Sequence, residues 1–208
     1  MIAAEIVTVI DIETTGLDYT TDHITEIAAI RAEVGYGGSI REIGRFQTFV
    51  ALPDGVKIPE TVGLLTGIHE EDLRGAPNVA GASLSLEFFI GDSTVIAHNA
   101  PFDLSFLVAF HPENFVCTRA LSRLVDPDES ARLADCCTRY GIDLTGHHRA
   151  MNDVEATLQL YAKLREKAEI NGISYRNIVI DSEERPLKYV PPGAIVRRIK
   201  RKKLEEAA

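Results

Sequence analysis

Residues 5–13 read Glu-Ile-Val-Thr-Val-Ile-Asp-Ile-Glu, a run rich in β-branched side chains that turns polar at Thr14-Thr15-Gly16. Such a run fits a buried first strand closed by a turn. Asp11 and Glu13 stand two apart on it, so both carboxylates leave the same face, about 7 Å apart by strand rise. The apolar residues before them carry the pair to the margin of a core, where desolvated like charges repel unless a cation joins them. Hard oxygen ligands of this kind select Mg²⁺ or Mn²⁺ over zinc, which takes His or Cys.

Two further strands are expected near 25–34 and 43–51, with Gly35-Tyr36-Gly37-Gly38-Ser39 turning the chain between them. From Pro59 the pattern becomes helical in short pieces, Glu60–Leu65 and His69–Leu73, and then in a longer one near 79–90. Ser93–Ala97 reads as a buried strand, and Pro101 opens a helix to about Phe110. A short strand at Phe115–Thr118 precedes helices near 118–124 and 130–140, and the last strong helix spans 152–170. On that helix Asp153 heads a stripe through Thr157, Leu160, Leu164 and Ala168 that faces the sheet. Strands first, then alternating strands and helices, give an α/β fold: a mixed sheet with helices packed on it. Periodicity ends near Asn171, so 1–170 is expected as the domain and 171–208 as a Pro-containing linker with a basic C-terminal tail, Arg197 to Lys203.

The chain has 208 residues, 45% hydrophobic and 25% charged, which supplies a sizeable core and excludes disorder, collagen and coiled coil. No apolar run approaches the roughly 20 residues of a membrane span, so no membrane association is expected. Met1-Ile2-Ala3-Ala4-Glu5 lacks the basic region of a signal or transit peptide, and a cytoplasmic location follows as the simplest expectation. Three cysteines, Cys117, Cys136 and Cys137, make neither a disulfide framework nor a zinc knuckle.

Charge is unevenly placed. Of 22 Lys and Arg and 31 Asp and Glu, residues 185–208 hold 8 basic residues against Glu205 and Glu206, leaving 14 basic and 29 acidic residues before them. So acidic a body repels nucleic acid at long range, unless its carboxylates surround metal cations that reverse the local sign.

Two more acids sit where such a cluster needs them. Asp103 falls in the first turn of the helix opened by Pro101, at the positive end of its dipole. Asp153 follows Asn152, a candidate N-cap. Each alone reads first as an ordinary helix-start acid. His148 precedes Asp153 by five residues, and an imidazole with a near-neutral pKa can take a proton from a nearby water.

Together these residues resemble the DEDDh exonuclease family, whose best-known member type is the proofreading epsilon subunit of bacterial DNA polymerase III. The three motifs stand in order: Asp11-Ile12-Glu13-Thr14-Thr15-Gly16-Leu17, His98-Asn99-Ala100-Pro101-Phe102-Asp103, and His148-Arg149-Ala150-Met151-Asn152-Asp153. The likeness runs from about Ile6 to Leu164. It implies a ribonuclease H-like fold, a five-stranded mixed sheet flanked by helices.

The resemblance also implies chemistry. Asp11, Glu13 and Asp153 hold one of two divalent cations (Mg²⁺ or Mn²⁺), Asp11 bridges to the second, Asp103 acts on the second mainly through water, and His148 is the general base. The products are nucleoside 5′-monophosphates released 3′ to 5′ by two-metal hydrolysis. Leu17, Leu64 and Ile68 are candidates for an apolar clamp on the terminal base, with Thr14, Thr15, His98, Asn99 and Phe102 contacting sugar, phosphate or the neighbouring base. The wording after Glu13 looks like the DNA-directed members, which makes single-stranded or frayed DNA 3′ ends the expected substrate, in proofreading or repair. Two alternatives stand beside this, an exoribonuclease trimming RNA and a catalytically weak subunit that binds nucleic acid or a DNA polymerase. The basic tail is a candidate phosphate contact or a solvated terminal helix.

Overall fold

The computed structural model describes residues 3–107, 109–183 and 185–198. Strand β1 (Glu5–Thr14) lies in the middle of a five-stranded mixed sheet. On one side β2 (Ile24–Val34) pairs antiparallel with it and β3 (Ile40–Phe49) antiparallel with β2; on the other, β4 (Thr94–Ala97) and β5 (Phe115–Cys117) continue in parallel. The order is β3-β2-β1-β4-β5.

The continuous apolar run of β1 has a direct cause, since the strand is covered on both faces. Val7 and Val9 enter one core, shared with α6 (Ala150–Ile170), while Ile10 and Ile12 enter the other, shared with α2 (Val79–Ile90) and α3 (Ala100–Phe106). Asp11 and Glu13 have the parity of Val7 and Val9, so they point to the side that α6 covers. The stripe expected on α6 is buried throughout: Asp153 5% exposed, Thr157 2%, Leu160 0%, Leu164 0% and Ala168 0%. Helices α1 (Glu60–Thr66), α4 (Thr118–Val125) and α5 (Leu133–Tyr140) complete the described helical elements that flank the sheet. No helix among the described residues is long and apolar enough to cross a membrane.

The structure departs from the sequence-based expectations in four places. His69–Leu73 is a turn and not a helix: Gly67 and Gly75, both at positive φ, bound a segment too short to nucleate one, and Asp72 accepts the His69 N–H at 2.8 Å instead. The helix opened by Pro101 stops at Phe106. The last helix starts at Ala150, with Arg149 at its N-cap, so Asn152 is not the cap; its amide donates to the Gly146 carbonyl at 2.9 Å. The segment after Asn171 holds two short parallel strands, β6 (Ile178–Asp181) and β7 (Ile195–Arg198), and buries Tyr175, Ile178 and Val179 against the two cores. Four-residue strands are too short to leave an alternating pattern, so periodicity alone makes this segment look like a linker. Arg197 and Arg198 are exposed on β7, and the rest of the basic run lies outside the described residues.

Candidate active site

The end of β1 and the start of α6 meet. Carboxylate oxygens of Asp11, Glu13 and Asp153 all lie within 4.8 Å of one another. Asp103 stands in the first turn of α3, 3% exposed, close enough for its charge to act on Asp11. Burial, and then the charges of Asp103, Asp153, Glu13 and Glu26, hold the Asp11 carboxyl well above its ordinary value. Burial followed by Asp153 and Glu26 pushes Glu13 up to about 8, with Arg149 opposing. Burial raises Asp103 as well. This is the signature of like charges brought together out of water.

Glu26 is the acid that sequence reasoning missed. It faces Glu13 across the β1–β2 ladder and is fully buried. One carboxylate oxygen accepts from the Gln47 amide at 2.8 Å and from Arg149 Nη2 at 3.3 Å; the other accepts the Ala150 N–H at 3.3 Å. Glu26 therefore caps α6 from across the sheet, where no side chain of the helix's own N-cap does so. Its signal in the sequence was a charged residue inside the apolar run Ile24-Thr25-Glu26-Ile27-Ala28-Ala29-Ile30.

His147 is the second residue missed. Its Nδ1–H donates to both Asp153 oxygens, at 2.7 and 3.0 Å. The His148 ring stacks on that of His147 with centroids 3.8 Å apart. His148 is a non-glycine residue at φ 68°, a conformation that costs energy and so needs its neighbours to hold it. Burial, and next the neighbouring His147, hold the His148 imidazole below its ordinary value, which favours the neutral form.

The turn after β1 is fixed by its own hydroxyls. Thr14 Oγ1 donates to the Gly16 carbonyl at 2.5 Å, and Thr15 Oγ1 donates to Asp22 and accepts the His23 N–H. A Cβ on Gly16 would collide with the Asp22 carboxylate and force that side chain to shift. Leu17, carried by this turn, is 71% exposed and lines a cavity of about 200 Å³ together with Asn99 and Phe102.

Other expected contacts are placed differently. His98 is engaged within the protein: Nε2–H donates to the Ala131 carbonyl at 3.0 Å and Nδ1 accepts from the Thr118 hydroxyl at 2.9 Å. Burial holds its imidazole down to about 4. Leu64, which is exposed, and Ile68, only 1% exposed, line one cleft with Pro59 and Arg74.

The acids suit a divalent cation. Asp11, Glu13 and Asp153 offer hard oxygen donors; burial and then crowding raise the proton affinity of Asp11 and Glu13, and a bound cation relieves the same repulsion. His147, His148 and Asp153 form a second grouping within 4.8 Å, although His147 Nδ1 there already donates to the aspartate.

The exonuclease family RNase_T matches residues 8–161. The chain is 36% identical over 191 residues to a PolC-type DNA polymerase III of Bacillus cereus, covering 88% of this chain and 13% of that protein. It is 34% identical over 187 residues to the PolC-type enzyme of Bacillus subtilis, covering 85% of this chain and 12% of that one. The chain thus spans about an eighth of the length of the curated relatives it matches. In fold it is similar to exonuclease X in complex with 5′ overhanging duplex DNA, with TM-score 0.64, 23% identity, and coverage of 81% of this chain and 94% of that one. It is also similar to E. coli exonuclease I with a dT13 oligonucleotide, with TM-score 0.67, 17% identity, and coverage of 82% and 42%.

Proposed function

Since the chain belongs to the exonuclease family, with the ribonuclease H-like architecture expected of its DEDDh members, we propose that it removes nucleotides from the 3′ ends of single-stranded or frayed DNA, in proofreading or repair. The observation that carries this reading is the convergence of Asp11, Glu13 and Asp153 beside His148, with Asp103 next to them. The PolC-type relatives support DNA over RNA, and they support a DNA polymerase as working partner.

Asp11, Glu13 and Asp153 would hold one divalent cation, and Asp11 and Asp103 would serve a second, with Mg²⁺ or Mn²⁺ the ions this oxygen set suits. When bound, such cations would supply Lewis-acid activation of a water and charge stabilisation for the departing 3′-oxygen. His148, kept neutral by its surroundings, accepts the water's proton on an imidazole nitrogen. The oxygen of that water bonds to phosphorus and the bond to the 3′-oxygen breaks, releasing a nucleoside 5′-monophosphate and a strand one nucleotide shorter. Asp153 orients the histidine pair through His147 and the His148 N–H, at 2.7 and 3.4 Å. Leu17 and Phe102, facing one cavity, give the terminal base an apolar surface.

The test is a time course on 5′-labelled single-stranded DNA and RNA with Mg²⁺ or Mn²⁺, beside Asp11→Ala and an EDTA control. A metal-dependent ladder shortening from the 3′ end, absent in the variant and faster on DNA, is expected. Faster RNA digestion turns the substrate assignment to RNA, and silence on both polymers with binding intact identifies a non-catalytic subunit.

A further inference from the structure

One region of the molecule has the sign opposite to that of the acidic body. A cavity of about 350 Å³ is lined by Arg119, Arg123, Arg132 and Arg185, and none of the acids among the described residues lines it. In so acidic a body, four guanidinium groups around one space call for an anion. Ion pairs among the described residues involve none of the four. The one side-chain hydrogen bond of Arg119 among the described residues is a long one, 3.5 Å, to Asn99. Burial, and then the charge of Arg185, hold the Arg119 guanidinium below its ordinary value.

This cavity is continuous with the one that Leu17 and Phe102 line. Asn99, Arg119, Arg185 and Leu187 line both it and the 200 Å³ cavity that holds Leu17 and Phe102, where Tyr19 and Tyr189 also stand. Arg185, Leu187 and Tyr189 come from the segment between β6 and β7, beyond residue 161 where the family match ends. The segment is anchored: Leu187 N–H donates to Asp181 at 3.2 Å, Ser182 bridges Arg185, and the Tyr189 ring meets the Tyr19 ring edge-on at 5.7 Å.

We propose that Arg185, Leu187 and Tyr189 complete a groove, cationic on the Arg119 side and aromatic on the Tyr19 side, that holds the single strand behind its terminal nucleotide. The inference rests on the nucleic-acid reading above. Guanidinium forks bind phosphate oxygens through paired hydrogen bonds, and aromatic faces accept bases of any sequence. Acting together they seat a strand along several nucleotides, where the carboxylate centre engages only its end.

The probe is fluorescein-labelled dT10 bound to the full chain in EDTA, titrated between about 50 and 300 mM salt. Arg132 and Arg185 are exposed, so the Arg132→Ala/Arg185→Ala double variant tests the groove without disturbing the core. Its dissociation constant is expected to rise about tenfold or more, and its salt slope to flatten by about 1.4, at roughly 0.7 for each phosphate no longer neutralised. Arg185→Lys keeps the slope and loses affinity, since the charge stays and the fork goes. Lys163→Ala, exposed on α6, changes neither quantity.

Unchanged affinity and slope in the double variant, with a parent that digests 3′ ends, overturn the groove and leave the exonuclease reading standing. A parent that neither binds nor digests overturns both. Weakened binding of inorganic phosphate or thymidine 5′-monophosphate with dT10 unaffected also overturns it, and assigns the arginines to a free-nucleotide site.

Discussion

His147 donates from Nδ1 to both oxygens of Asp153, at 2.7 and 3.0 Å, while His148 stacks on the His147 ring with centroids 3.8 Å apart. The two adjacent histidines therefore divide into one that contacts the carboxylate and one held against it.

That division predicts unequal mutants. His148→Ala removes the proton acceptor and is expected to lower kcat by about 10²- to 10⁴-fold with oligonucleotide affinity retained. His147→Ala removes only an orienting contact, and a loss below about tenfold is expected. Steady-state rates and binding isotherms on one labelled strand check both, and a larger loss in His147→Ala would reassign the base.

Glu26 predicts a stability effect. Glu26→Ala leaves the buried Ala150 N–H without its acceptor and takes a partner from the more exposed Gln47 and Arg149, at a cost of about 1–3 kcal/mol. Glu26→Gln keeps an acceptor and loses the repulsion with Glu13, so a smaller loss is expected. Thermal melts of the two variants in EDTA give the comparison, and the glutamine variant melting below the alanine one would refute the capping role.

Leu17 and Ile68, paired as clamp candidates from sequence, are separated by their exposure, 71% against 1%. Leu17→Ala is expected to raise KM for oligonucleotide and to move stability by no more than about 0.5 kcal/mol. Ile68→Ala removes a core side chain and is expected to cost about 2–5 kcal/mol, with KM following only as the protein unfolds. Chemical denaturation beside initial rates separates these effects.

What is legible in the sequence is whatever depends on strand parity and helix phase. Asp11 and Glu13 share a face because they are two apart, and Asp153 heads the buried stripe of α6 because Thr157, Leu160, Leu164 and Ala168 follow at helical spacing. The order of the strands is not legible in the element pattern, since pairing between β1 and β4 is nonlocal and leaves no periodic mark. Glu26, His147 and Arg185 escape sequence reasoning for a related reason. Glu26 acts across the sheet on residues more than 120 positions away, and Arg185 joins Arg119 around one cavity through a segment whose strands are only four residues long. His98 misleads in the opposite direction: a histidine in a functional motif is engaged by Ala131 and Thr118.

Glu13 predicts how pH and metal act together. In the metal-free protein its carboxyl is raised from 4.5 to about 8, so between those values the native state holds a proton that the unfolded state has lost. By linkage the stability contributed by that proton is fully present below about pH 4.5 and is lost as pH rises through 8. Each pKa unit corresponds to about 1.4 kcal/mol, so the metal-free protein is expected to weaken by up to a few kcal/mol between about pH 5 and pH 8. A divalent cation reverses the sign, because it binds the ionised carboxylates and binds them better as pH rises. Melting temperatures in EDTA and in excess Mn²⁺ across that range are expected to diverge with pH, and Glu13→Gln to reduce the divergence. Parallel curves would mean that this carboxylate is ionised in the metal-free protein already, and that crowding by Asp153 and Glu26 does not govern the site.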